Sequence, residues 1–215
     1  MKHKLGFLII ISILSIQAIH SQLSIGFKGG YTNSFQEYGD VDLPQDAEID
    51  VEGFNIGMLI NYDLNNSFAL EVSPAFVRRG AACMPGFINF SGDSDLLLSY
   101  AELPVYLAFK YPFMKNRITP FVKLGYSGNI LLKAEEKIEV NFINDPSFNF
   151  TDITDNNTIR KIDHGIALGA GLNINAGLNT FVISIEHYRG FPDAEKLNTS
   201  KNRSLSYNFG IMQRI

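Results

Sequence analysis

Tryptophan is absent from this chain, and cysteine occurs once, at Cys83. A single thiol excludes an intrachain disulfide and offers no thiolate cluster to a metal. Histidine is scarce, and past residue 21 only His164 and His187 are left for acid–base chemistry. Basic charge is not in excess: the formal net charge is −4, which argues against nucleic acid as a partner. Long apolar runs are missing too. Beyond residue 21 no stretch reaches the ~18–20 residues a spanning helix requires, although 46% of residues are hydrophobic.

The start of the chain reads as an export signal. Lys2 and Lys4 precede an apolar stretch, Leu5–Ile16, too short to span a bilayer as a helix, and Ser21 supplies a small residue for cleavage. The expected division is a signal peptide over 1–21 and one domain over 22–215. Losing the two lysines would turn −4 into −6. No cysteine stands at the cleavage point to carry a lipid anchor.

What the chain has in quantity is alternation. Period-two patterning predicts strands over Leu23–Thr32, Gly53–Tyr62, Phe68–Arg79, Leu97–Tyr111, Ile118–Leu132, Ile162–Asn175, Thr180–Arg189 and Ser204–Arg214. Three connections, Asp63–Ser67, Pro112–Arg117 and Ala176–Asn179, have hairpin lengths of about four to six residues. The other four, Asn33–Glu52, Gly80–Leu96, Lys133–Lys161 and Gly190–Arg203, run to roughly 14–29 residues, far beyond that range. Short and long connections in strict alternation describe an all-β, eight-stranded antiparallel up-and-down transmembrane barrel. Its short turns would be periplasmic, its long loops extracellular and both its ends periplasmic.

Parity assigns the two faces of each strand. Phe54, Ile56, Met58 and Ile60 oppose Asn55, Gly57, Leu59 and Asn61. Leu97, Leu103, Val105, Leu107 and Phe109 oppose Tyr100, Glu102, Tyr106 and Lys110. One face is continuously apolar; the other is polar or small, with too few charges for a solvated exterior. The apolar face therefore belongs in lipid, the reverse of a soluble carrier barrel such as a lipocalin. Tyr62, Phe68, Tyr111 and Phe113 fall at the short-turn rim, with Tyr31, Phe35, Tyr188 and Phe191 at the other, as two aromatic girdles would. Parity also places Lys28, Glu71, Glu102, Lys123 and Glu186 inside. In so narrow a space lone charges are costly, so a paired structural network is expected, with Glu102–Lys123 the preferred pair. Pro104, inside a strand paired on both sides, requires a bulge or a missing ladder bond.

Several segments together resemble the porin-like outer-membrane β-barrel family of Bacteroidota, the PorT family. They are the glycine-rich opening strand Gly26-Phe27-Lys28-Gly29-Gly30, Tyr100-Ala101-Glu102-Leu103-Pro104 with its continuation Val-Tyr-Leu-Ala-Phe-Lys-Tyr, Pro120–Gly125, Gly165–Gly171 and Asn202-Arg203 before the last strand. The chain ends Met212-Gln213-Arg214-Ile215 rather than on an aromatic residue, which departs from the usual assembly signal. The resemblance implies an outer-membrane location. It does not fix an activity, since some members belong to a secretion apparatus.

Chemical motifs are weak. A Ser–His–carboxylate site has only His164 and His187 to draw on, and the expectation is that there is no enzyme and no cofactor. Glu37, Asp40, Asp42, Asp46, Glu48, Asp50 and Glu52 make an acidic loop but lack the spacing of a calcium loop, so no metal site is expected. Gly165–Gly171 has no following Lys-Ser/Thr and is not a phosphate loop. An eight-stranded barrel encloses room for side chains only. The reading is thus a small non-enzymatic, monomeric barrel acting through its extracellular loops. Its expected partners are outer-membrane lipid, the barrel-assembly machinery and a protein bound by the loops. A porin-like small-solute channel and a secretion component are the alternatives.

Overall fold

The computed structural model describes residues 22–38, 50–83, 86–87, 90–113, 117–142, 145–152, 159–193 and 200–215. The expected signal segment and acidic positions 40, 42, 46 and 48 lie outside them. Eleven strands form one sheet: β1 (Leu23–Tyr38), β2 (Val51–Asp63), β3 (Phe68–Val72), β4 (Ala75–Cys83), β5 (Gly86–Phe87), β6 (Phe90–Lys110), β7 (Ile118–Phe142), β8 (Asp145–Asp152), β9 (Ile162–Ala176), β10 (Asn179–Gly190) and β11 (Ser200–Arg214). β3 and β4 are two parts of one wall strand, and β5 and β8 are additions outside the ring. The wall is therefore eight antiparallel strands, closed by β1 against β11. Closure leaves no unpaired edge within the bilayer, which is what permits strands to cross it.

The split between β3 and β4 has a local cause. Pro74 lacks the N–H that would reach Met58 on β2, whose own N–H donates to the Pro74 carbonyl at 2.9 Å. The Ser73 hydroxyl donates to the Met58 carbonyl instead, also at 2.9 Å. On the other side Ser73 N–H donates to the Pro104 carbonyl at 3.1 Å, and Pro104 returns nothing. The two prolines, offset by one residue across β3/β4 and β6, thus each remove one rung, Pro74 toward β2 and Pro104 toward β3/β4. The register before and after the gap is the same.

The three short connections sit at one rim with both described ends. Asp63 N–H donates to the Gln22 carbonyl, and Ile215 N–H to the Leu23 carbonyl. Asn65 shapes its turn by accepting from the Ser67 and Phe68 amides at 2.8 Å, an Asx turn. Gly177 holds φ at 68° in the two-residue hairpin loop between β9 and β10, where an L side chain would be strained.

Strands run further on the opposite side than alternation predicts. β6 and β7 stay paired out to Phe90↔Phe142, and β8 folds back on β7. The connections expected as loops over Gly80–Leu96 and Lys133–Lys161 are therefore largely strand. Pattern alone missed this because hairpin arms in water need no apolar face toward lipid. Near the membrane edge Ser99 pairs Lys133 but Tyr100 pairs Leu131. This bulge at Leu132 lets Leu131 and Ala134 both point inward. Leu97, assigned outward, is buried beyond this register shift.

Outward positions are apolar and exposed from rim to rim: Phe54, Ile56 and Met58 on β2, Leu103 to Phe109 on β6, Leu168 to Ile174 on β9 and Phe181 to Ile185 on β10. Inward positions are buried and polar or small. Tyr31, Phe68, Tyr111, Phe113 and Phe191 are exposed at the rims. Tyr188 is not a girdle residue: it is 3% exposed, two positions from inward Glu186 and of the same parity.

Candidate functional site

Inside the wall the side chains stack in layers. Lys28, Glu71, Lys123 and Glu186 come from β1, β3, β7 and β10, and all are buried. Lys123 donates to Glu71 at 2.6 Å and to Glu186 at 3.0 Å. Lys28 donates to the other Glu186 oxygen at 2.9 Å, and the Tyr106 hydroxyl reaches that oxygen at 3.2 Å. The Lys123 ammonium also lies 4.3 Å from the Tyr106 ring centroid, close enough for a desolvated cation–π contact. Gly169 makes this possible, since a Cβ there would meet Lys123 Cε at 2.7 Å.

Glu102 belongs to a second cluster, not to Lys123. Arg79 donates from Nη2 to Glu102 at 2.8 Å and from Nε to the Ser204 hydroxyl at 3.0 Å, while Ser127 donates to the remaining Glu102 oxygen at 2.9 Å. The Arg79 guanidinium stacks 4.3 Å from the Tyr188 ring and 5.9 Å from Tyr100. The expected Glu102–Lys123 pair is thus replaced by Glu102–Arg79 and Lys123–Glu71. Arg79, at the end of its strand, is not among the charges parity places inside, yet it shares Glu71's parity and is legible on that ground. Three cations and three carboxylates balance across the two clusters, which is the condition for burying charge so deeply.

Apolar layers close both ends. Leu59, Phe121, Val182 and Met212 pack together toward the short-turn rim. Leu98, Tyr100, Leu131, Ala134 and Ile159 pack at the other end. There Asn202 bridges the Tyr100 hydroxyl at 3.1 Å and Asp163 at 3.0 Å. Between the charge clusters a cavity of about 20 Å³ is bordered by Lys28, Asn55, Arg79, Glu102 and Glu186, room for about one water. At the short-turn rim the lumen widens to a polar vestibule of about 530 Å³, where Lys110 donates to Asp63 at 2.5 Å. The two described histidines do not join these ionic clusters. His187 has outward parity, opposite to Glu186, and His164 lies tilted against Tyr126 and edge-on to Phe191, with centroids 5.8 and 5.9 Å away.

The model of the outer membrane protein beta-barrel domain family matches residues 17–195, most of the chain, and the chain belongs to that family. It is an outer-membrane β-barrel protein. Similar solved structures include Ail, the attachment invasion locus protein of Yersinia pestis, at 19% identity, with 89% of this chain and 99% of that one covered and a TM-score of 0.40. OprG from Pseudomonas aeruginosa is 14% identical over 91% of this chain and 98% of its own, with a TM-score of 0.49. Neisserial surface protein A is 10% identical over 89% and 97%, with a TM-score of 0.47. Comparison with curated proteins finds no match.

Proposed function

From a membrane-embedded barrel with a filled lumen, we propose that this protein is a non-conducting, non-enzymatic platform that presents an extracellular β-sheet to a protein partner. The observation that carries the reading is the β6–β7–β8 extension. The last exposed apolar residue described on β7 is Leu132, and β7 continues to Phe142, about 30 Å further along the strand. Among the described residues β8 pairs only with β7. Its other edge offers backbone donors and acceptors in register for an added strand, the chemistry of β-augmentation. The interior supports a scaffold rather than a passage: two ionic clusters lie across the lumen between two apolar layers.

The Tyr100–Pro104 motif behind the PorT resemblance takes structural posts here. Tyr100 caps the lumen, Glu102 holds Arg79, and Pro104 faces the strand break. A role in a secretion apparatus rests on that resemblance, and deletion that blocks export of particular cargo is its test. The small-solute channel has the vestibule in its favour, which reaches Met212, a member of the apolar layer with Leu59, Phe121 and Val182.

The platform reading is tested on intact cells with a photo-crosslinking residue at position 149 of β8 or position 66 of a short turn. A discrete protein adduct from 149 alone is expected. Adducts equal from both positions, or from neither, contradict the reading.

A further inference from the structure

The polar vestibule at the short-turn rim divides into two chemically distinct arcs. One arc carries Asn61 and Asp63 of β2, Lys110 at the end of β6 and Arg214 at the end of β11. On the other, Thr119 of β7 faces Asn173 of β9, and Asn175 faces Thr180 of β10. At about 530 Å³ the space between them has the size of a small-ligand cleft, typically about 300–1,000 Å³.

The first arc holds charge. Lys110 and Asn61 both donate to one oxygen of Asp63, the Asn61 amide at 2.7 Å. Arg214 stands 3.9 Å from the other oxygen, an ion contact too long for a hydrogen bond. One carboxylate thus faces two cations, and the charged side chains lining the vestibule carry one positive charge in excess. Lys110 is buried, and its ammonium has three donors, of which Asp63 takes one. The Arg214 side chain is 57% exposed.

The second arc is a row of amides and hydroxyls. The Thr180 hydroxyl donates to Asn175 Oδ1 at 2.8 Å, and Asn175 Nδ2 reaches the Thr119 hydroxyl at 3.5 Å. Beside them Asn173 Oδ1 is buried without a hydrogen-bond partner. Leaving a buried acceptor unpaired is costly, and turning that amide toward a ligand N–H removes the cost. No aromatic side chain is among the described residues lining the space.

We infer that the vestibule binds a short peptide by its free C-terminal carboxylate, at the rim that barrel orientation gives to the periplasm. The carboxylate takes the Arg214 fork, with the Lys110 ammonium behind it, in charge-assisted hydrogen bonds. The peptide's main-chain N–H and C=O groups pair along the second arc, because each carboxamide there offers both donors and an acceptor. A saccharide would find no ring to lie against, and a bare anion would leave the amide row unused. The site lies at the opposite rim from the β6–β7–β8 extension, so it and the platform reading stand or fall separately.

The test titrates the full barrel, folded in neutral detergent, with tri-alanine and follows the asparagine carboxamides by NMR. Saturable shifts at Asn61, Asn173 and Asn175 are expected at millimolar peptide. Tri-alanine amide, lacking the carboxylate, should bind about tenfold more weakly, and R214Q should lose as much toward tri-alanine. R214K, with charge but no fork, should fall between, and K133Q at the opposite rim should bind like the parent. N173A should also weaken binding. Heat-shifted gel mobility verifies folding of each variant, and R214Q with the amidated peptide decides the matter if N173A does not fold. No saturable shift, equal binding of the amidated peptide, or equal binding by R214Q overturns the proposal. Acetate or maltotriose binding as tightly as tri-alanine overturns it too, by assigning the space to a simple anion or a saccharide.

Discussion

Replacing Lys123 with methionine removes the cation that touches both Glu71 and Glu186 while leaving the space filled. Glu186 keeps Lys28 at 2.9 Å, but Glu71 loses its 2.6 Å partner in a site where both side chains are almost fully buried. Breaking a buried pair from one side costs about 3–5 kcal/mol, because the surviving charge keeps its desolvation penalty without its compensation. Exposed pairs contribute under ~1 kcal/mol. Lys123→Met is therefore expected to lower the unfolding free energy in lipid vesicles by about 3–5 kcal/mol, read by urea titration. Adding Glu71→Gln should recover part of the loss, since the stranded carboxylate goes with it, and the double-mutant cycle should show favourable coupling between the two positions. A single-variant loss below ~1 kcal/mol, or two losses that simply add, would refute a tightly coupled interior.

Arg79→Ala should cost at least as much as Lys123→Met, because it strands Glu102 and empties the slot beside Tyr188, and Arg79→Lys should not restore the loss, lacking the planar fork; urea titration reads both. Gly169→Val should force the Lys123 side chain off its two carboxylates and destabilise by about 1–3 kcal/mol, with the effect much reduced in a Lys123→Ala background. Ser73→Ala leaves the Met58 carbonyl beside Pro74 without its donor, for an expected loss of about 1–3 kcal/mol. Protease applied to intact cells should cut within 33–52 or 133–161 and spare 63–67; cleavage confined to the short turns would invert the orientation.

The wall was legible because a barrel in lipid imposes one rule on every residue crossing the membrane. Outward apolar and inward polar alternation therefore survived reading by eye, and with it the inward placement of Lys28, Glu71, Glu102, Lys123 and Glu186. Partner choice was not legible. Glu102 and Lys123 sit on adjacent strands, but their pairing partners are Asn129 and Ala108, and strand stagger carries Lys123 to Glu71 and Glu102 to Arg79. Stagger is a property of closure, which no single strand records. Tyr188 was misplaced for a related reason: rim position suggested a girdle, while parity with Glu186 already pointed inward. The extension of β6 and β7 escaped notice because outside the bilayer alternation is no longer enforced, and the break at Ser73–Pro74 escaped because its register is unchanged across the gap.

Single-channel recording of the purified barrel in planar bilayers tests the proposed non-conducting interior most directly. With the Lys123 and Arg79 clusters set across the lumen between two apolar layers, the account predicts a quiet bilayer with no stable conductance step. A reproducible, long-lived open level from the folded protein would contradict it.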